Sequence, residues 1–455
     1  MRDARGWTMG VDVGTSSTKV VLVDDDGVVR HRLRLAHKVT HADGAFFHNA
    51  LNVWLRQAAR AVAAMQRPGV AGIGVVGPTP SLAAVRADGV PISPGLLYGD
   101  YRGRSGTKGR KVTGEAGGFL CYLRQGYPEA DGYWPVQAVT TFALCGTAAI
   151  DEGVARTLAP LCDSHAWTED AARHAGGVDR FPRIVPRGVP VGQAGRAVVA
   201  AGGIDVSAER SVAGLRNVGE VLVICGSTLV VWAVAPRSQA ADGLRVIPHA
   251  GESVLIGTPS RAGGLFVEWV WRMTSGRGLR QSAQDPDAVP VWLPYPDGER
   301  HDAFPATPHA LLADLKIAHD ARAVRRAAYE ATAFVVRRIL EHANVTATEV
   351  IMAGGGSAVP EWRQATADCL RVPVRHRMAP EGAALGAAYS ARLAAGLTES
   401  PDPTGEWLER GSVTYPEERW LDAVGRRYRR FCVLSDAASS RLGEREGAPR
   451  DCTEQ

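Results

Sequence analysis

Glycine is never followed by lysine in this chain, so the phosphate loop G-x-x-x-x-G-K-[ST] is absent. That removes the P-loop kinases. The first glycine-bearing turn also lacks G-x-G-x-x-G, which removes a Rossmann dehydrogenase. Cysteine is sparse: seven residues, dispersed, odd in number and without C-x-x-C spacing, indicate neither a disulfide framework nor a zinc site. They read as thiols of a reducing cytoplasm. The longest apolar stretch, Val221 to Val234, is broken by Gly226, Ser227 and Thr228 and is too short to span a bilayer. No charged-then-apolar leader opens the sequence. A net charge of +4, scattered along the chain, is too mild to argue for nucleic acid. The expected partners therefore exclude nucleic acid and membrane, and the expected compartment is cytoplasmic.

What is present starts with M-G-V-D-V-G-T-S-S-T-K, from Met9 to Lys19, running into Val20-Val21-Leu22-Val23. An Asp at the end of an apolar strand, then a small-residue turn and a returning strand, sets one carboxylate beside free backbone N–H groups. This is a phosphate and metal site in outline: Gly14 lets a phosphate approach, Thr15 and Ser16 offer hydroxyls and amides, Lys19 adds charge, and Asp12 can hold Mg²⁺ directly or through water. A plain hairpin with a polar turn has the same local pattern. The signal recurs, however, in Val221 to Cys225, Gly226-Ser227-Thr228 and Leu229 to Trp232. Two copies of one hairpin suggest a duplicated domain, similar to the actin-like ATPases and their sugar-kinase relatives, where a turn from each half faces a central cleft.

Further segments carry a closer resemblance. They are Ile73-Gly74-Val75-Val76-Gly77, Asp88-Gly89, Leu97-Tyr98-Gly99-Asp100-Tyr101-Arg102, Leu293-Pro294-Tyr295 with Gly298-Glu299-Arg300, Gly354-Gly355-Gly356-Ser357 leading into Trp362-Arg363-Gln364, and Glu381 to Ala388. In order and spacing they resemble the FGGY carbohydrate kinases, the family of xylulokinase, glycerol kinase, gluconokinase and ribulokinase. The resemblance implies an α/β fold of two actin-like (ribonuclease H-like) ATPase domains with a central cleft, ATP and Mg²⁺ as cofactors, and a small-molecule sugar, polyol or cyclitol as substrate. A homodimer stands among the open assemblies.

Phosphoryl transfer to a hydroxyl needs a base near the attacking oxygen. Asp205 follows Gly202-Gly203-Ile204 at a strand end, and the segment resembles the family's G-G-x-D, which implies that Asp205 is the catalytic base. An Asp there also suits a helix cap, and both readings can hold together. The resemblance implies that Gly354, Gly355, Gly356 and Ser357 contact adenosine, although a tight strand-to-helix turn has the same composition. Small residues in Glu381 to Ala388 are expected to support helix packing. Xylulokinases carry Gln-Met-His-Gly after the strand ending at Gly77; here the residues are Pro78-Thr79-Pro80-Ser81, so an imidazole is missing. Thr79, Tyr98, Asp100 and Arg102 are the candidate substrate residues, the last two being equally suited to an internal ion pair. Glu209 and Arg210 stand where relatives usually show small apolar residues. Alternatives are xylulokinase proper and a non-catalytic actin-like nucleotide switch.

At 455 residues the chain exceeds a single typical core, and 45% hydrophobic with 22% charged residues is globular. The expected domains are 1–218 (sugar side) and 219–435 (nucleotide side), with a hinge near Asn217-Val218-Gly219 and a disordered tail over 436–455. Periodicity predicts a third strand over about Val28 to Val39, helices over Leu51–Met65, Ala321–His342, Glu361–Leu370 and Ala383–Ala395, and buried strands over Gly69–Val76, Val198–Ala201 and Val350–Ala353. Residues 100–196 are weakly patterned, and the basic stretch Gly103 to Arg110 reads as a solvated loop.

Overall fold

Trp7–Val13 is apolar at most positions and buried on both faces, as a strand between two helical layers must be. In the computed structural model it forms β1, which returns through residues 14–16 as β2 (Ser17–Val23) and extends to β3 (Val29–Ala36), all antiparallel. On its other side β1 pairs in parallel with β4 (Val70–Gly77). Beyond β4 lie β5 (Pro190–Ala194), β6 (Ala197–Ala200) and the short β7 (Gly203–Ile204), giving the order β5-β6-β4-β1-β2-β3 with β7 on β4. The structure describes residues 6–446 except 43–44, 104–113, 164, 240, 250–251, 275–284, 297, 300–308, 378–380, 404–406 and 408–410. Most of the basic stretch from Gly103 to Arg110 therefore lies outside the described residues, as does Arg300.

One face of this sheet buries Met9, Val11 and Val75 against Trp54, Val62 and Val139, which sit on the helical run 51–65 and on the helix Val136–Cys145. The other face is covered by the helices Asp205–Ala213 and Gly382–Ala394. There Gly10, Gly72 and Gly74 leave the strands bare. The carbonyls of Ala384, Ala387 and Ala391 lie where Cβ atoms at those three glycines would stand, and the Ala208 carbonyl occupies the same kind of position at Gly386. The expected helix-packing role of Glu381 to Ala388 has this physical basis.

The second unit repeats the plan. β8 (Glu220–Cys225) and β9 (Leu229–Pro236) form a hairpin, β10 (Arg245–Pro248) and β11 (Ser253–Ser260) extend it, and β12 (Glu349–Ala353) pairs in parallel with β8. β13 (Val374–His376) and β14 (Val413–Thr414) complete the order β10-β11-β9-β8-β12-β13-β14. The long helix Ala321–His342, capped by Asp320 on the N–H groups of Arg322 and Ala323, starts and stops where its periodicity predicts. A buried ion cluster fixes it to its neighbours: Arg326 donates to Glu330 (2.8 Å) and Asp368 (2.7 Å), and Arg427 to Glu330 (2.6 Å).

Two expectations change. The chain divides into one unit of Met1–Gly214 with Glu381–Leu408 and another of Leu215–Pro380 with Glu409–Gln455. A single cut at 218 misses the return of 381–408 to the first unit, because the contacts that bring it back are remote in sequence. The tail expected to be disordered from 436 instead continues the helix Glu418–Glu446, whose Trp420, Val424, Tyr428 and Phe431 are buried on one face. Residues 447–455 lie outside the described residues.

Candidate active site

Three parallel strand ends of the first unit carry the predicted groups: Asp12 on β1, Thr79 two residues past β4, and Asp205 directly after β7. The register sets Ile204 opposite Gly77 and Asp12 opposite Val76, so the three follow adjacent strands out of one sheet edge, where open α/β sheets hold their ligands.

Asp205 is the first residue of its helix, not the cap. Ile204 holds the cap position, and the Asp205 carboxylate accepts from the adjacent Val206 N–H at 2.6 Å. Burial, and then the nearby Asp12 carboxylate, push Asp205 from the usual carboxylate range up to about 6, against the opposing pull of Lys19. The group is thus ionised at neutral pH yet basic for a carboxylate, which suits a proton acceptor.

Asp12 is buried, and its Oδ2 accepts from Lys19 Nζ at 3.2 Å across the β1–β2 register. Its Oδ1 is enclosed and, among the described residues, has no hydrogen-bond partner. Asp12 above all, with a smaller contribution from Glu209, holds Lys19 above its ordinary value and therefore fully charged. Glu209 lies one helical turn beyond Asp205, with its side chain against Gly382; Arg210 is buried and reaches Asp402 at 3.5 Å. These two departures from the family pattern pack the Asp205–Ala213 helix against the returning segment 381–408.

The turn at residues 14–16 is braced by residues that sequence reasoning missed. Trp54 Nε1–H donates to His48 Nδ1 at 3.0 Å, so the ring carries its proton on Nε2 and donates to the Thr15 carbonyl at 2.7 Å. Gln57 donates to His37 Nδ1 at 3.2 Å, and His37 Nε2 donates to the Gly14 carbonyl at 3.0 Å. Burial lowers both histidines, His48 to about 4, which keeps them neutral at pH 7. With two carbonyls of the turn tied from behind, Ser16 is left exposed. No local pattern marks a lone His as a brace; only the fold brings 37 and 48 to the turn.

Of the substrate candidates, Tyr98 OH pairs with Thr15 Oγ1 at 3.2 Å, and the Thr79 and Thr157 hydroxyls are hydrogen-bonded to each other. Asp100 is fully buried and accepts from the Phe46 N–H at 2.9 Å and from Arg102 Nη2 at 2.6 Å. Arg102 in turn donates to Tyr122 OH at 3.0 Å and stacks over Phe47. Asp100 and Arg102 thus form the internal ion pair, and Asp100 has no oxygen left to offer a substrate.

In the second unit the parallel pairing of β8 with β12 brings Gly226-Ser227-Thr228 and Gly354–Ser357 to one sheet edge. Gly354 has φ +81° and its missing Cβ would lie 2.9 Å from the Cys225 carbonyl, so the chain can pass only as glycine. Gly264 N–H donates to the Gly226 carbonyl at 2.8 Å, seating the helix Gly264–Met273 on the first turn. Gly355, by contrast, has open space around its Cβ direction, a flat approach for a planar ring.

The comparisons agree with this construction. The sequence model of the FGGY family of carbohydrate kinases, C-terminal domain, matches residues 230–395. Xylulose kinase of Streptomyces coelicolor is 26% identical over 97% of this chain and 98% of its own length. Autoinducer-2 kinase of Yersinia enterocolitica is 38% identical over 94 residues, 21% of this chain, which spans only 18% of that protein. The crystal structure of gluconate kinase from Lactobacillus acidophilus superposes with a TM-score of 0.82 at 16% identity, covering 96% of this chain and 99% of the kinase, a likeness of fold. Two α/β units with duplicated hairpins, the matched domain and the full-length relative converge: residues 230–395 match the C-terminal domain of the FGGY family of carbohydrate kinases, and the chain as a whole is similar to kinases of that family.

Proposed function

We propose that this chain transfers the γ-phosphoryl group of ATP to a hydroxyl of a sugar, polyol or cyclitol, with Asp205 as general base. The observation that carries the reading is Asp205 at a strand end beside Asp12 and Lys19, raised to about 6. Its carboxylate takes the proton as the acceptor oxygen attacks phosphorus and ADP leaves. Lys19 neutralises charge on the transferred group, and the N–H groups of Thr15 and Ser16 orient it, the Gly14 N–H being used on the Ser17 carbonyl to close the turn. Asp12 fits a magnesium site because its buried Oδ1 has no hydrogen-bond partner among the described residues. Among the described residues no cluster of three His, Cys, Asp or Glu could hold a metal alone, so Asp12 would share the ion with the nucleotide's phosphates. An ion held there would supply charge neutralisation on the phosphoryl oxygens.

Thr79 and Tyr98 present hydroxyls rather than an imidazole, which favours a polyhydroxylated acceptor other than the linear ketose of a standard xylulokinase. A screen of ADP release over ketoses, aldoses, polyols, inositols and aminocyclitols tests this. Activity confined to xylulose would restore the xylulokinase alternative, and ATP binding with no acceptor-dependent turnover would favour the nucleotide switch.

Two variants separate the proposed contacts. Asp12→Ala is expected to raise the Mg²⁺ concentration for half-maximal rate by about tenfold, the loss on removing one good oxygen ligand; an unchanged magnesium titration takes Asp12 out of the site. Gly355→Ala adds a methyl into open space, so thermal stability should stay within about 0.5 kcal/mol of wild type. Its ADP affinity, read by calorimetry, should fall severalfold, and undiminished binding would move adenosine elsewhere.

A further inference from the structure

The β1–β2–β3 register places Asp12, Lys19 and Arg34 directly opposite one another in a single row across three strands, and hence on one face of the sheet. Within that row an ammonium and a guanidinium are cross-strand neighbours, an arrangement that destabilises a sheet unless something negative lies between or above the pair. Lys19 has the Asp12 carboxylate. Arg34 is exposed, and among the described residues it has no carboxylate within ion-pairing distance; its Nε donates to the neutral Ser17 Oγ at 3.3 Å. The contrast with its neighbours on β3 is direct. Arg30 pairs with Asp24 at 2.6 Å and Arg32 with Glu381 at 3.1 Å.

Ser17 closes the turn at residues 14–16, its carbonyl accepting from the Gly14 N–H at 3.1 Å, so its hydroxyl holds the guanidinium at the rim of that turn. A planar fork of N–H donors beside backbone amides and a lysine matches a phosphate group. We propose that Arg34 is a phosphate-contacting residue of this site, a second cation next to Lys19. The assignment rests on the kinase reading for the identity of the site, and it takes either the polyphosphate chain of the nucleotide or the phosphate being transferred.

Calorimetry on the full chain distinguishes these. Wild type, Arg34→Ala and Arg34→Lys are titrated with Mg²⁺–ATP, inorganic tripolyphosphate, inorganic phosphate and adenosine. Arg34→Ala should weaken ATP and tripolyphosphate about tenfold and leave adenosine unchanged, with part of the loss restored in Arg34→Lys. Loss confined to ATP and tripolyphosphate assigns Arg34 to the nucleotide chain; an equal loss for inorganic phosphate assigns it to the transferred group. The melting temperature of the free Arg34→Ala protein should not fall, because a like-charge pair has been removed. Wild-type affinities in Arg34→Ala, or an equal loss for adenosine, overturn the proposal while leaving the kinase reading intact. A wild-type chain that binds none of the phosphates overturns both.

Discussion

Asp205→Asn should lower kcat by about 10²–10⁴-fold while nucleotide affinity stays near wild type, because the amide keeps the size of the carboxylate and cannot accept the proton. The pH profile makes the test specific. With Asp205 at about 6, kcat/KM for the wild type should climb as pH rises through about 6 and level above it. Asp151 complicates a bare profile: it is buried at the cap of the helix Glu152–Thr157 and is also raised by burial to about 6. Only the comparison resolves them, since Asp205→Asn should lose the acid limb from its residual rate while Asp151→Asn keeps it. Stability moves the other way. A carboxyl raised in the folded state stabilises fully below its unfolded value and loses that contribution as pH climbs through about 6. Asp205→Asn should therefore be more stable than wild type at pH 8, by up to about 3 kcal/mol, and so melt at a higher temperature there, with no gain at pH 4. A variant that is slow at every pH but no more stable at pH 8 would mark Asp205 as structural.

The second large effect is on folding. Gly74→Val should destabilise the first unit by about 3 kcal/mol or more, because the new Cβ runs into the backbone carbonyl of Ala387 and no rotamer change relieves a backbone clash. Gly10→Val meets the Ala384 carbonyl in the same way. Both should melt early and expose protease sites in the first unit, whereas Gly355→Ala should not. Wild-type melting of Gly74→Val would mean that the Gly382–Ala394 helix does not lie against the strands as described.

The hairpins at 9–23 and 221–236 were legible because an apolar strand, a polar turn and another apolar strand within fifteen or so residues need no remote partner to be read. The helix Ala321–His342 was legible for the same reason, its periodicity running unbroken for six turns. Asp205 was found through its glycines, but its place inside the helix rather than at the cap was not, since strand β7 has only two residues. Residues 100–196 hid the helices 114–126, 136–145, 152–157 and 169–175, which are short or glycine-rich and gain their order from packing. The Asp100–Arg102 pair could be weighed but not decided, because burial of Asp100 depends on Phe46 N–H, more than fifty residues away. His37, His48 and Arg34 had no local signal at all. Their roles arise from what the sheet register and the turn place beside them.

The return of residues 381–408 to the first unit also sets an order of events during synthesis. When residue 214 leaves the ribosome, the sheet carrying Asp12 and Asp205 is complete in sequence, yet the bare glycine face of β1 and β4 has nothing to cover it. The missing helix follows some 170 residues later, a wait of ~10–30 s at ordinary elongation rates. For that interval a nascent chain of the first unit shows a flat apolar strip open to aggregation or chaperone capture. A fragment ending at 218 would carry the same strip permanently, so the turn at 14–16 and Asp205 cannot be isolated as an N-terminal half; the smallest piece that could fold around them must include the chain to Leu408.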